Sequence, residues 1–114
     1  MSESDAARLI QIPIVLALDC TPAFLERCRQ ISAKRGILVR GCDSASAWRT
    51  AVALRPLAIV VPEHLHERAP RQFETLAAEA GARLVVLESA QLPAHELDSH
   101  ITSAVDEATR ARQA

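Results

Sequence analysis

The sequence is poor in several kinds of residue, and each scarcity disfavours a class of protein. Aromatic residues make up only 3% of the chain, which leaves no platform for stacking bases. The three glycines form neither a G-x-G-x-x-G pattern nor a P-loop, which disfavours a nucleotide site. No apolar run approaches the roughly 20 residues of a membrane span. The formal net charge of -1 lacks the basic excess typical of proteins that bind nucleic acid or anionic lipid.

The remaining composition is that of one folded domain. Of the 114 residues, 49% are hydrophobic and 24% are charged, which excludes a disordered chain. Because large rings are scarce, the core must consist of Leu, Ile, Val and Ala, a composition that suits helices packed on a sheet. The polar start, MSESDAARLIQ, does not have the pattern of a signal peptide, so we expect a cytoplasmic protein. We assign residues 1–10 to a tail and residues 11–112 to a single domain.

Short apolar runs alternate with helical patterns along the chain. The runs at 12–18, 37–39, 57–61 and 83–87 predict strands of a buried parallel sheet. The order βαβαβαβα predicts an α/β fold of three layers, in which helices cover both faces of a doubly wound parallel sheet. We expect four strands in the order 2-1-3-4, or five in the order 2-1-3-4-5 if another strand lies within residues 90–100.

Two of the predicted helices carry expectations about particular side chains. The helix after the second strand has Trp48, Ala51, Val52 and Arg55 on one face. The last helix begins after Pro93. We expect its tail, ATRARQA, to be frayed and Arg112 to be solvated.

Four segments carry a resemblance to a known family. They are LALDCTP at 16–22, GILVRGCDSASAW at 36–48, RPLAIVVPEHL at 55–65 and LVVLES at 84–89. In pattern and spacing, these segments resemble the first four strands of a response-regulator receiver domain, a flavodoxin-like fold. The resemblance implies a signalling role and a pocket at the carboxyl ends of the strands. The residues that it places in this pocket are Asp19, Cys20, Pro62, Glu88 and Ser89.

The pocket lacks the groups with which a receiver accepts a phosphoryl group. Pro62 stands where the resemblance places the phosphoacceptor aspartate, and it has no carboxylate. Cys20 takes the place of one of the two magnesium-binding acids, although a thiol is a poor ligand for magnesium. No lysine follows Lys34. The resemblance therefore implies a stand-alone pseudo-receiver that is not an enzyme, holds no cofactor and binds another protein as a signalling or localisation adaptor.

Two surfaces are candidates for contact with that partner. The first is the polar segment after the third strand together with one later residue, and its candidate contacts are Glu63, His64, His66, Glu67 and Gln91. The second is the edge of strand 83–87 or the last helix, where a homodimer would form, because an apolar edge strand invites pairing with another chain. We expect neither a nucleic acid nor a membrane as a partner.

An alternative function belongs to a different class. The carboxyl ends of parallel strands meet at one edge of a sheet, so Cys20, Cys42, His64 and His66 are expected near one another. Thiolates and imidazoles are zinc ligands, and this set predicts a small metal- or thiol-dependent site. Against it, the chain has no C-x-x-C pair, and free thiols are the ordinary state in a reducing compartment.

Overall fold

A computed structural model describes residues 12–89 and 91–113. Four parallel strands form its sheet in the order β2-β1-β3-β4, which confirms the predicted fold class and strand order. The strands are β1 (Ile14–Leu18), β2 (Leu38–Cys42), β3 (Ala58–Pro62) and β4 (Arg83–Leu87). The described part of the chain contains no fifth strand, and from Ala94 onward it is helical. The predicted tail at 1–10 lies outside the described residues.

Helices cover both faces of the sheet. They are α1 (Pro22–Ala33), α2 (Ala47–Leu54), α3 (Glu63–His66), α4 (Pro70–Ala80) and α5 (Ala94–Gln113). Helices α1 and α5 pack on one face, and α2 and α4 pack on the other. The short helix α3 occupies a segment that the sequence pattern assigned to a loop. No helix in the described ranges has both the length and the apolar character needed to cross a membrane.

Local sequence explains where the helices begin and end. The Thr21 hydroxyl accepts a hydrogen bond from the backbone N–H of Phe24 at 3.2 Å, which caps α1. Asp43 accepts one from the N–H of Ser46 at 2.8 Å, which caps the 3-10 turn that leads into α2. Gly81 ends α4 with a φ of 68°, a backbone conformation that favours glycine.

The central strands β1 and β3 are buried on both faces. Val15 and Val60 lie in the core beneath α1 and α5, whereas Leu16 and Ile59 lie in the core beneath α2 and α4. Burial of each such side chain stabilises the fold by about 1.5–3 kcal/mol. The continuous apolar runs of the sequence correspond to this two-sided burial.

Strand β2 is longer than the prediction of 37–39, since it continues to Cys42. Gly41 lies beneath α1, and a Cβ atom added there would come within 2.6 Å of Cδ2 of Leu25. The missing side chain therefore lets the helix pack directly on this edge strand.

Of the four residues predicted to share one face of α2, only Ala51 is buried. Ala47 and Ala51 face the sheet, whereas Trp48 is 46% exposed and Val52 is 63% exposed. Successive helical residues turn by about 100°, so Trp48 and Val52 lie one turn apart on the flank beside the buried alanines.

The prediction for the end of α5 is wrong. The helix continues to Gln113 instead of fraying. The Arg112 guanidinium donates hydrogen bonds of 2.9–3.3 Å to four backbone carbonyl oxygens. These oxygens belong to Arg55, Pro56, Ala80 and Gly81. Arg112 thus ties α5 to the two loops that follow α2 and α4.

Candidate functional site

A small cavity lies at the carboxyl ends of β1, β3 and β4, and we call it the rim cavity. Its volume is about 220 Å³, and Phe24, Val60 and Leu87 contribute apolar walls. The structure places every residue of the receiver-like pocket on its lining, namely Asp19, Cys20, Pro62, Glu88 and Ser89. His64 lies on the lining as well. The gathering of these residues follows from the parallel sheet, which brings the strand ends to one edge.

The Asp19 carboxylate accepts a hydrogen bond from the backbone. Its Oδ1 accepts a hydrogen bond from the N–H of Ser44 at 3.1 Å. The Asp19 N–H donates to the carbonyl oxygen of Cys42 at 2.9 Å, and its φ of 48° is in the left-handed region that aspartate tolerates. Asp19 therefore fastens the end of β1 to the turn after β2, which is a structural role.

The Cys20 side chain is held in its thiol form. Its Sγ donates a hydrogen bond to the carbonyl oxygen of Leu18 at 3.4 Å. Burial raises the pKa of Cys20 to about 12, and the charges of Cys28 and Asp19 add to the effect. Because the thiolate is both the nucleophile and the metal ligand, Cys20 is poorly suited to either role near neutral pH.

The predicted metal ligands do not assemble into a ligand set. Within residues 12–89 and 91–113, no group of three or more His, Cys, Asp or Glu side chains is arranged to hold a metal ion. Cys20 and His64 line the rim cavity, but Cys42 and His66 are not among its described lining residues. All three cysteines are free. Burial also raises the pKa of Cys42.

The polar segment after β3 divides between two surfaces. Its four predicted contact residues are Glu63, His64, His66 and Glu67, of which Glu63 and His66 are half-buried. The ring centroid of His66 lies 6.3 Å from that of Phe73. Gln91 is exposed, and its N–H donates to the Ser89 hydroxyl. The neighbouring residues Leu65 and Arg68 line a second concavity that the sequence prediction did not include.

This second concavity is a groove of about 660 Å³ between α2 and α4, and we call it the α2–α4 groove. Its apolar lining includes Trp48, Leu65, Phe73 and Leu76. Arg68 and Arg71 also line it, whereas no carboxylate does among the described residues. The sequence prediction missed the groove because it grouped Trp48 with Ala51 on one face of the helix, although only Ala51 is buried. The signal that would have found it is the Ala47–Ala51 pair, since alanines that face the sheet leave the next position on the flank.

No protein-family model matches the chain, and no curated protein or solved structure matches it significantly. The likeness to receiver domains therefore remains a resemblance of pattern and spacing. The function has to be argued from the surfaces of this chain.

Proposed function

We propose that this protein is an interaction module for signalling or localisation, which binds another protein through the α2–α4 groove and accepts no phosphoryl group at the rim cavity. The observation that carries the proposal is the half-exposed Trp48 in an apolar groove. Tryptophan is enriched among the residues that dominate binding energy in protein interfaces. A partner that covers the indole would remove its apolar surface from water, which favours association.

The chemistry of the rim cavity supports the second part of the proposal. Pro62 has no side-chain oxygen that could accept a phosphoryl group at the end of β3. The Asp19 carboxylate accepts a hydrogen bond from the turn after β2, and burial raises the pKa of Cys20. An interaction module needs none of these groups to react.

The β4 edge is the competing surface, and a homodimer through it stays a prediction. Leu84 and Val86 are half-buried there, so they offer less apolar surface than the exposed Trp48. Arg83 forms an ion pair with Glu107 of α5 at 3.6 Å. Helix α5 thus covers one face of this edge, while nothing in the described residues covers the α2–α4 groove.

The experiment is affinity capture from the host with four forms of the tagged protein. They are the wild type, Trp48→Ser for the groove, His64→Ala for the rim cavity and His100→Ala for the surface between β4 and α5. We expect at least one host protein to be retained by the wild type, His64→Ala and His100→Ala but lost by Trp48→Ser. Circular dichroism checks that each variant is folded.

Three results of this capture would contradict the proposal. If Trp48→Ser retains the same proteins as the wild type, the groove is not the binding surface. If the loss occurs only in His100→Ala, the β4 edge takes its place, and if only in His64→Ala, the rim cavity does.

A further inference from the structure

The geometry points to an acidic amphipathic segment of another protein as the ligand of the α2–α4 groove, bound by its apolar side chains on the groove floor and by its carboxylates at Arg68 and Arg71. This inference rests on the proposed function and gives the chemistry of the partner.

The α2–α4 groove carries positive charge. Arg68 and Arg71 are both exposed, and neither forms an ion pair or a side-chain hydrogen bond within the described ranges. Glu74 lies one turn after Arg71 on α4, yet no ion pair joins them. The groove is thus locally positive in a chain whose formal net charge is -1. A guanidinium forms its strongest hydrogen bonds with carboxylates, often in a bidentate geometry.

The groove also has the shape and polarity that suit an amphipathic helix. Two helices form its walls, and its lining is mostly apolar around Trp48 and Phe73. An amphipathic helix that docks in such a groove inserts apolar side chains spaced at i, i+3 or i+4, and i+7. Arg68 lies just before α4 and Arg71 lies in its first turn, so both guanidinium groups belong to one end of the groove. Carboxylates at one end of the ligand would therefore fix its direction.

A nucleic acid is the other polyanion that arginine and tryptophan can bind. Single-stranded nucleic acid needs a track of positive charge and several aromatic side chains on which bases stack. The groove offers two arginines and one exposed aromatic side chain, since Phe73 is buried. These features favour a peptide.

The test is a selection from a display library of short random peptides on the immobilised wild-type protein. Peptides that also bind the Trp48→Ser variant are removed. We expect the remaining peptides to combine apolar residues with an excess of Asp and Glu over Lys and Arg. Their affinity should fall by about tenfold or more in the double variant Arg68→Glu/Arg71→Glu. The matched control, Arg40→Glu/Arg110→Glu, changes the net charge equally at two exposed positions outside the groove, and it should bind as the wild type does.

The contradicting outcomes separate the two claims. Trp48-dependent peptides that are neutral or basic would overturn the acidic partner and leave the proposed function intact. A library that yields no Trp48-dependent peptide would overturn binding at the groove itself. Trp48-dependent binding of a single-stranded oligothymidylate, tighter than that of the selected peptides, would assign the groove to nucleic acid.

Discussion

The two helical layers of this protein differ in the ion pairs and side-chain hydrogen bonds that hold them. In the layer of α1 and α5, Arg35 forms an ion pair with Asp98 at 2.9 Å, which joins the turn after α1 to α5. Arg27 donates to the carbonyl oxygen of Leu92, and Arg112 donates to the loops after α2 and α4. In the layer of α2 and α4, no side-chain hydrogen bond or ion pair joins the two helices, as far as residues 12–89 and 91–113 show.

The buried side chains differ in the same sense. Helices α1 and α5 bury large residues, among them Phe24, Leu97 and Ile101. Helix α4 also buries Phe73 and Leu76, whereas α2 buries only Ala47 and Ala51. Small residues bring the helix close to the sheet, but they leave the large side chain of Trp48 outside. The comparison shows that α2 contributes less to the core than the other long helices do, which supports the proposal that its flank recognises a partner.

The largest expected effect contrasts a side chain from each layer. Leu97 is 0% exposed, so Leu97→Ala should lower the free energy of unfolding by about 2–5 kcal/mol, since it leaves a cavity in the α1/α5 layer. Trp48→Ser should lower it by less, about 1 kcal/mol, because 46% of Trp48 is already exposed to water. Urea unfolding measures both. Similar losses in the two variants would show that Trp48 contributes to the stability of the fold as much as Leu97 does.

A smaller effect is expected at the end of α5. Arg112→Ala removes the hydrogen bonds to four carbonyl oxygens and should lower the free energy of unfolding by about 1–2 kcal/mol. The control is Arg110→Ala on the same helix, whose exposed side chain should contribute less than about 0.5 kcal/mol. If thermal unfolding cannot separate the two variants, Arg112 does not fasten the helix.

The last effect concerns the thiols of Cys20, which precedes α1, and Cys28, which lies within it. Burial raises the pKa of Cys20 to about 12 and that of Cys28 to about 11, against an ordinary value of 9.0. Between pH 9 and about 12, the folded protein therefore holds protons that the unfolded chain has lost. The thiols' contribution to stability is complete below pH 9 and falls as the pH rises through this range. Cys20→Ser should flatten the alkaline decline in urea unfolding, and an unchanged slope would exclude Cys20 as its source.

The fold could be predicted further from the sequence than the groove could. Continuous apolar runs at β1 and β3 specify strands buried on both faces, and capping residues such as Thr21 mark where helices begin. The extension of β2 to Cys42 was missed because it depends on pairing with β1, in which Leu18 lies opposite Cys42, and these residues are distant in the sequence.

The binding surfaces depend on tertiary contacts of the same kind. The strand ends placed the residues of the rim cavity together, because topology alone decides which strand ends are neighbours. The α2–α4 groove depends instead on how α2 is rotated over the sheet. Periodicity could not decide between Ala47 and Trp48 as the inward residue, since each has an apolar residue four positions later. Close packing of the helix on the sheet favours the alanine.

The most direct test of the central claim, that the α2/α4 layer is the recognition surface, uses the fluorescence of Trp48. Trp48 is the only tryptophan of the chain, so its emission reports on the groove alone. Titration of the wild type with a peptide selected on it should shift the emission to shorter wavelength in a saturable manner, because the indole leaves water. If the peptide binds but the emission of Trp48 stays unchanged, the result would contradict the claim, since the peptide would occupy another surface.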